Sequence, residues 1–444
     1  MGVSFVRLAS ARRTALAMGL CAALTAAAGA APPRSKNLHQ TGNLVPVTTC
    51  ADDGSAGTLR KAIEGAADGD TIDMSELQCS LITLQSGALV TSLPNLAIQG
   101  PGIDALTIDG GNADRVLQGM TLDVSDLTIA HGVSLSYTGG GCIRTNGDLS
   151  LTRTRVTACL NASTSAAGGG SAFVLGNLTM RESMLLGNKA SGVTFGEGGG
   201  AFVVGAATLY SSSISGNTAQ AGQDTALGGG LMALTGNVTL HASNIDGNTA
   251  TSSGARSYGG GIHAQGGGYV LILDASTVSG NIAHSESDSA YGGGINSGAY
   301  GYAVPTKVRV EHSTISGNAV ESNCAGACLV SGGGVHAFDN VAAKYSTIDD
   351  NHALCNDDMS ACAATGGGLA SFGAQTGVSI SLYNSTVSAN SAVGGTQPNA
   401  FGTGGGMHVG SDKDFVANNS TIAFTRAPAA AASLHRRRRW RLPR

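Results

Sequence analysis

The sequence has few aromatic and few charged side chains. Aromatic residues make up 4% and charged residues 12% of the 444 positions, with one tryptophan. Sugar-binding clefts often use stacked aromatic rings, so the scarcity of aromatic residues argues against such a cleft. The formal net charge of -4 provides no attraction to phosphate backbones, and we therefore expect no nucleic-acid partner.

Long apolar runs are also missing, and we expect no transmembrane segment, which would need roughly 20 apolar residues. Near the start, arginines up to Arg13 precede an apolar stretch at 14–24 and small residues at 28–30. This order is typical of a secretory signal peptide. We expect residues 1–30 to be that signal and the protein to be secreted or held at the cell surface.

Glycine is abundant, with 67 residues, and much of it recurs as triplets spaced 29 to 40 residues apart. Each triplet precedes a short, mostly apolar stretch. Such a period indicates a solenoid in which one repeat forms one coil. The triplets begin at Gly139, Gly168, Gly198, Gly228, Gly259, Gly292, Gly332, Gly366 and Gly404.

A second signature follows most of the triplets, as in Ser-Thr-Ile-Ser-Gly-Asn ending at Asn318. Asparagine tolerates the left-handed corner conformation, and its amide can bond an equivalent amide one coil away, roughly 4.8 Å distant. We therefore predict a structural ladder formed by Asn188, Asn217, Asn248, Asn281, Asn318, Asn351 and Asn390.

Alternating apolar residues between the two signatures predict strands that pair in parallel from coil to coil. The predicted fold is all-β, a right-handed parallel β-helix over residues 139–424, because parallel crossovers are right-handed in nearly all cases. Before it, residues 31–48 are expected to be a linker. Residues 49–138 should form an N-terminal cap and the first coils, with an amphipathic helix over 58–67 covering the first coil.

Removing the signal removes Cys21 and leaves eight cysteines, an even number that favours disulfides in an exported chain. Proximity favours Cys50 with Cys79 and Cys142 with Cys159. The pairing within the remaining group stays open, and that group comprises Cys324, Cys328, Cys355 and Cys362.

The chain resembles the secreted bacterial proteins with right-handed parallel β-helix repeats, and distantly the polymorphic outer-membrane proteins. The resemblance rests on residues 49–63, on Gly-Asp-Thr-Ile-Asp from Gly69 and on the repeated Ser-Thr-Ile-Ser-Gly-Asn, and it covers about 45–424. It implies an association with the bacterial outer membrane. It implies little about activity, because this scaffold carries adhesins, polysaccharide lyases and hydrolases alike.

The C-terminal end departs from that family. The last repeat has Thr425 where asparagine is expected, and residues 425–444 become rich in alanine and arginine. We expect a disordered basic tail at a truncated or frame-shifted end. An uncapped last coil would expose a strand edge, which predicts self-association.

Candidate metal ligands are few, and we assign no catalytic residue and no resident cofactor. Asp349, Asp350, Asp357 and Asp358 are close in sequence and could bind calcium at a corner, although solvated loop charge explains them as well. His263, His336 and His408 follow glycine triplets on alternate coils, roughly 9.6 Å apart, too far to share a zinc. They are predicted to be surface histidines.

Two classes of function remain open. The first is an extracellular or cell-surface β-helix protein with an adhesive, matrix-binding or structural role, whose partner would be a polysaccharide or a host or cell-surface ligand. The absence of a carboxylate set, the regular coils and the family resemblance favour it. The alternative is a polysaccharide-degrading enzyme, either a lyase or a protein resembling a glycoside hydrolase.

Overall fold

The computed structural model describes residues 42–266, 270–298, 307–356, 361–372, 377–395, 401–410 and 413–423. The expected signal peptide at 1–30 and the tail at 425–444 lie outside the described residues. Asp357 and Asp358 also lie outside them.

The described chain is a right-handed parallel β-helix, as the repeat predicted. Its strands pair in parallel and in register with the equivalent strands one coil away, as Phe173 does with Phe202. The strands form four stacks that run along the helix axis. We number these stacks sheets 1 to 4.

Sheet 1 is the largest and holds 23 strands of the described chain. Two coils, at 121–130 and 149–157, cross it as single long strands, and later coils break at a serine into two short strands. The strands of sheet 1 are Leu44–Pro46, Thr71–Asp73, Leu81–Thr83, Asn95–Gln99, Thr107–Asp109, Thr121–Ala130, Leu149–Thr157, Leu178–Arg181, Met184–Leu186, Ala207–Tyr210, Ser213–Ser215, Val238–His241, Asn244–Asp246, Val270–Asp274, Thr277–Ser279, Lys307–Glu311, Thr314–Ser316, Val341–Lys344, Thr347–Asp349, Gly377–Tyr383, Thr386–Ser388, Lys413–Asn418 and Thr421–Ala423.

The other three sheets are built from shorter strands. Those of sheet 2 are Leu89–Val90, Leu117–Gly119, Ile143–Thr145, Ala172–Val174, Ala201–Val203, Leu231–Ala233, Ile262–Ala264, Ile295–Ser297, Val335–Ala337, Leu369–Ser371 and Met407–Val409. Those of sheet 3 are Val133–Ser134, Leu160–Ser163, Lys189–Gly192, Thr218–Ala221, Thr249–Ser252, Ile282–Ser285, Ala319–Ser322, His352–Cys355 and Ser391–Val393. Those of sheet 4 are Ala167–Gly168, Gly196–Glu197, Ala226–Leu227, Ser257–Tyr258, Ala290–Tyr291, Leu329–Ser331, Ala363–Thr365 and Phe401–Thr403.

Each full coil runs from sheet 4 through a glycine corner to sheet 2, then across sheet 1 and back through sheet 3. At the corner Gly228 has φ +62°, a conformation that glycine adopts without steric cost. A Cβ on the next residue, Gly229, would collide with the backbone of Gly260 and of Thr249 in sheet 3. The corner therefore presses against sheet 3, and only glycine permits that approach.

This close approach of the glycine corner to sheet 3, which we call the pinch, divides the interior into two cores. The larger lies between sheets 1 and 2 and is filled by aliphatic side chains such as Leu240 and Ile262, both fully buried. The smaller lies between sheets 3 and 4 and holds alanine, valine and cysteine side chains. The coils thus bury apolar side chains in two parallel columns.

The seven predicted asparagines form one ladder beside the pinch. The Asn248 Nδ2 donates to the Asn281 Oδ1 at 2.9 Å, and the Asn248 backbone N–H donates to the same oxygen. Cys159 stands one coil before the ladder, because its N–H donates to the Asn188 Oδ1. A second ladder, which we did not predict, joins the backbone N–H of each corner serine to the next serine hydroxyl, as in Ser212 and Ser243.

The N-terminal helix spans Leu59–Gly65, within the predicted 58–67. Thr58 is its N-cap and accepts the Lys61 N–H, while Leu59, Ala62 and Ile63 are buried in the larger core. These three side chains lie on one face because they are three and four residues apart. The helix therefore contributes its apolar face to the start of the core.

Four disulfides are present in the described chain. Cys50–Cys79 and Cys142–Cys159 are the pairings that proximity favoured. The open group of four resolves into Cys324–Cys328 and Cys355–Cys362, two short loops on neighbouring coils.

Residues 44–46 correct one predicted boundary. They form a strand paired with Thr71–Asp73, so the linker predicted at 31–48 does not hold for this segment. Within the described ranges, no helix has the length and apolar character needed to cross a membrane.

Candidate functional site

Sheets 2 and 4 meet at the glycine corner, and we call the row of side chains on the outside of that corner the corner groove. Its floor is formed by the middle residues of the sheet 2 strands, which point away from the larger core, and by the last residues of the sheet 4 strands. In sheet 2 these are Gln118, Arg144, Phe173, Phe202, Met232, His263, Asn296, His336, Ala370 and His408. In sheet 4 they include Glu197, Leu227, Tyr258 and Tyr291.

Rings of neighbouring coils stack in the middle of the corner groove. Phe173 and Phe202 lie parallel with ring centroids 4.9 Å apart, and Tyr258 stacks on Tyr291 at 4.9 Å. The parallel register places equivalent side chains one coil apart, which is a stacking distance. The scarcity of aromatic residues therefore does not exclude a ring-lined surface, because the fold gathers several of the rings in one place.

The middle of the groove is filled by its own side chains. Phe173, Phe202, Leu227 and Tyr258 are each 3–4% exposed, and Met232 is fully buried. These side chains form an apolar cluster separate from the two cores. An extended ligand would find accessible groups at the ends of the groove rather than over this cluster.

The structure corrects the prediction that the histidines after the glycine triplets lie at the surface. His263 and His336 face away from the larger core, as expected, but both are buried. Asn296 on the intervening coil links them, with its Nδ2 2.9 Å from the His263 Nδ1 and its Oδ1 2.8 Å from the His336 Nδ1. Burial lowers the pKa of both imidazoles to about 3, so they are neutral at neutral pH. His408 is only partly buried.

An acid–base pair lies at the N-terminal end of the corner groove. Tyr137 precedes Gly168 by one coil, since its carbonyl accepts the Gly168 N–H at 3.0 Å, and Glu197 follows Gly168 by one coil. Because Gly168 has no side chain, the Tyr137 ring spans that coil and lies 6.5 Å from the ring of Phe202 in the coil of Glu197, where Tyr137 and Glu197 perturb each other's pKa. The Tyr137 ring also lies edge-on to Phe173, with centroids 6.2 Å apart.

Glu197 is poised to exchange a proton near neutral pH. Burial raises the pKa of its carboxyl to about 7, although the Tyr137 hydroxyl opposes this by stabilising the carboxylate. Its Oε2 is buried and has no hydrogen-bond partner among the described residues. The pKa of Tyr137 is raised by burial and by the neighbouring Glu197. Tyr137 itself is 40% exposed, so the pair is accessible from solvent on the tyrosine side.

Two arginines occupy the first coils next to this pair. Arg144 lies on the groove floor one coil before Phe173, and Arg115 lies against Gln118 of the coil before that. A cavity of about 500 Å³ opens beside Arg115, lined by Asn112, Ala113, Asp114, Arg115, Val133, Ser134, Leu135 and Ser136.

The aspartates proposed for calcium are only partly described. Asp349 is half-buried, and burial and the neighbouring Asp350 raise the pKa of its carboxyl. The Asp350 Oδ1 lies 3.3 Å from the Nε2 of His352. The part of the chain that the structure describes contains no group of three or more His, Cys, Asp and Glu residues suited to a metal ion. Calcium binding at this corner stays a prediction.

The functional side chains at the groove end were missed from sequence. Tyr137, Arg144 and Glu197 lie in different repeats, and each stands beside or one strand away from a glycine triplet. The available signal was their position: they occupy the same repeat positions as Tyr258, Phe173 and His263, where Arg144 is the one arginine and Glu197 the one carboxylate among the described coils. A charged residue at such a position departs from the repeat pattern.

Comparisons with known proteins give little beyond the fold. No protein-family model matches the chain, and no curated protein matches it by sequence. Among solved structures, the A-module of an Azotobacter vinelandii mannuronan C-5 epimerase is similar, with 11% sequence identity, a TM-score of 0.32, and coverage of 82% of this chain and 95% of that one. So loose a likeness does not bear on function.

Proposed function

We propose that this chain is an exported β-helix protein that binds an extracellular polysaccharide at the N-terminal end of the corner groove and exchanges protons with it through Glu197 and Tyr137. The observation that carries the proposal is a carboxyl with a pKa of about 7 beside a phenol, at the open end of a ring-lined groove. This is the enzymatic alternative rather than the adhesive role that the sequence favoured.

The chemistry follows from the two protonation states of Glu197. A carboxyl whose pKa is about 7 populates both its acidic and its basic form at neutral pH, which is the condition for efficient general acid–base catalysis. The Glu197 Oε2 is buried and has no partner among the described residues, so a substrate would approach the pair from the exposed side of Tyr137. A phenol with a raised pKa keeps its proton and can donate it to a leaving oxygen.

The residues at the site favour proton abstraction over hydrolysis. Hydrolysis of a glycosidic bond generally uses two carboxylates on opposite sides of the bond. Among the described residues that form the groove floor, Glu197 is the one carboxylate. A base paired with a phenolic acid instead suits an elimination, in which one group removes a proton and the other protonates the leaving oxygen.

Export is supported by the cysteine chemistry. Four disulfides in the described chain are typical of oxidising compartments, where such bonds persist. The apolar and small residues near the N-terminus suit a signal peptide. We therefore place the site outside the cytoplasm, at the cell surface or in the medium.

The test is to incubate the purified full-length chain with a panel of acidic and neutral polysaccharides and to record ultraviolet-absorbing unsaturated ends and new reducing ends. We expect product with the wild type and with Glu182→Gln, a control that makes the same change on the exposed face of sheet 1. Glu197→Gln should abolish product while retaining binding. Retained binding without product from the wild type would instead support an adhesive or structural protein.

A further inference from the structure

The groove end carries a concentration of positive charge that its own carboxylates do not neutralise. Arg115 is held in place by three contacts: its Nε donates to the Gly140 carbonyl at 3.1 Å, one Nη to the Ser134 hydroxyl at 3.3 Å, and the other Nη to Gln118. None of these partners is charged. The fixed guanidinium therefore keeps its full charge at the cavity wall.

Arg144 adds a second cation beside the first. Its Nε is buried and has no hydrogen-bond partner among the described residues. The Arg115 guanidinium contacts Gln118, the strand partner of Arg144, and burial and, after it, the charge of Arg144 lower the pKa of Arg115. Burying like charges together is unfavourable unless an anion compensates for them.

No carboxylate of the described chain lies within ion-pair distance of either arginine. The nearest in sequence, Asp114, is directed at the backbone, where it accepts the N–H groups of Arg115 at 2.7 Å and of Ala88 at 3.2 Å. Asp114 moderates the local charge without pairing with a guanidinium. Positive charge therefore remains at Arg115, which lines the cavity of about 500 Å³, and at the neighbouring Arg144.

We infer that Arg115 and Arg144 form a binding subsite for an anionic group, a carboxylate or a sulfate, carried by the polysaccharide that occupies the groove end. Guanidinium groups bind such anions through paired, charge-assisted hydrogen bonds. The inference rests on the proposed function for the identity of the polymer, and it adds that the polymer is acidic.

The spacing along the β-helix suits a polymer that spans both sites. Arg144 lies in the coil that begins after Tyr137, and Glu197 lies two coils beyond Tyr137, so the subsite and the acid–base pair are separated by roughly 10 Å along the axis. Rings of Tyr137 and Phe173 lie between them. An extended chain can therefore place an anionic substituent on the arginines and a neighbouring sugar at Glu197.

The experiment measures binding directly, by calorimetry on the full-length chain, so that it does not depend on turnover. The probes are oligosaccharides of matched length: a uronate oligomer, a sulfated oligomer and a neutral glucan, with inorganic sulfate as a free anion. We expect the wild type to bind at least one acidic oligomer, to bind it more weakly as salt rises, and to bind the neutral glucan at least about tenfold more weakly, because charge-assisted hydrogen bonds are lost.

Matched variants assign the effect to the subsite. Arg144→Gln should weaken binding of the acidic oligomer by about tenfold or more, Arg144→Lys by less, and Arg153→Gln not at all. Arg153 provides the control because it is exposed on sheet 1 and paired with Asp126 at 2.6 Å, so its loss makes the same change in net charge elsewhere. Circular dichroism checks that each variant is folded.

The inference is overturned if the acidic and neutral oligomers bind alike, if only free sulfate binds, or if Arg144→Gln and Arg153→Gln are equally affected. Its failure is distinguishable from failure of the proposed function. Loss of product in Glu197→Gln with unchanged acidic binding supports both, whereas Arg144-dependent binding without product from any polymer leaves the subsite standing and removes the enzymatic role.

Discussion

Tyr137 and Glu197 perturb each other's pKa across an intervening coil whose equivalent residue is Gly168. A Cβ on Gly168 would lie 3.0 Å from the Phe173 ring and 3.1 Å from the Tyr137 carbonyl oxygen, so the close packing of this ring depends on glycine at that position. Because Gly168 has no side chain, Tyr137 and Glu197 on the two flanking coils can interact across it.

Glu197 should make the stability of the protein depend on pH. Its folded-state pKa of about 7 exceeds the ordinary value of 4.5, so the folded state holds the proton more tightly. Stability should fall as pH rises from about 4.5 to about 7 and then level, by on the order of 3 kcal/mol from this group. Glu197→Gln should remove that fall.

Urea unfolding at several pH values measures this contribution. Tyr137→Phe provides a second check, because removing the hydroxyl that stabilises the carboxylate should raise the pKa of Glu197 further. If the wild type and Glu197→Gln lose the same stability as pH rises from about 4.5 to about 7, the pKa of about 7 for Glu197 is wrong.

The asparagine ladder should contribute strongly at each step. Asn248→Ala removes the acceptor of the Asn217 amide and backbone N–H and the donor to the Ile214 carbonyl, all buried. We expect a loss of about 3 kcal/mol or more in the free energy of unfolding, because buried groups lose their partners. Asn244→Ala, at an exposed position on the adjacent strand, should change it by less than about 0.5 kcal/mol. Equal effects of the two substitutions would argue against the ladder.

Two glycines in one coil should respond differently to alanine. At Gly229 a Cβ collides with backbone atoms of Gly260 and Thr249, which cannot move aside, and we expect a loss of more than about 3 kcal/mol. At Gly247 the space is open but φ is +60°, so the cost should be limited to about 1–2 kcal/mol of left-handed strain. Thermal unfolding of Gly229→Ala and Gly247→Ala compares the steric cost with the conformational cost. A larger loss of stability in Gly247→Ala would argue against the close approach of the glycine corner to sheet 3.

The buried histidines should be neutral tautomers of opposite kind. With Asn296 donating to the His263 Nδ1 and accepting from the His336 Nδ1, the proton lies on Nε2 of His263 and on Nδ1 of His336. Nitrogen chemical shifts distinguish the two forms, and a flipped amide would exchange them but keep them opposite.

His263 and His336 should also make the folded protein less stable in acid. Because burial lowers the pKa of both to about 3, the unfolded state binds more protons below about pH 6.5. Stability should therefore fall as pH decreases from about 6.5 towards about 3. Titration of either imidazole near pH 6.5 would contradict its burial.

The repeat made the architecture predictable from sequence, whereas the candidate site could not be predicted. Triplets such as 228–230 and the asparagines after each strand recur at every coil, so local pattern and global fold agree. The residues of the site recur nowhere. Glu197 is the one carboxylate and Arg144 the one arginine at their repeat positions among the described coils, and a search for clustered carboxylates cannot find a lone one.

The histidine error has a related cause. Alternation correctly predicted that His263 points away from the larger core beside Ile262. In an ordinary sheet the opposite face meets solvent, but here sheet 4 turns back at the glycine corner and places Tyr258 against the imidazole, 5.8 Å between ring centroids. Period-two alternation describes one strand and cannot report what another sheet brings to its outer face.

By itself, the sequence determined that this chain coils into a parallel β-helix, that asparagines line one corner, that a helix covers the first coil, and that nearby cysteines pair. Those features depend on contacts between residues at fixed repeat positions. Tertiary structure alone decided that the coil is pinched into two cores and that the bend outside the pinch gathers Tyr137, Arg144 and Glu197 beside the rings. Burial there, which depends on side chains from several coils at once, raises the pKa of Glu197 into the range where a carboxyl can exchange protons at neutral pH.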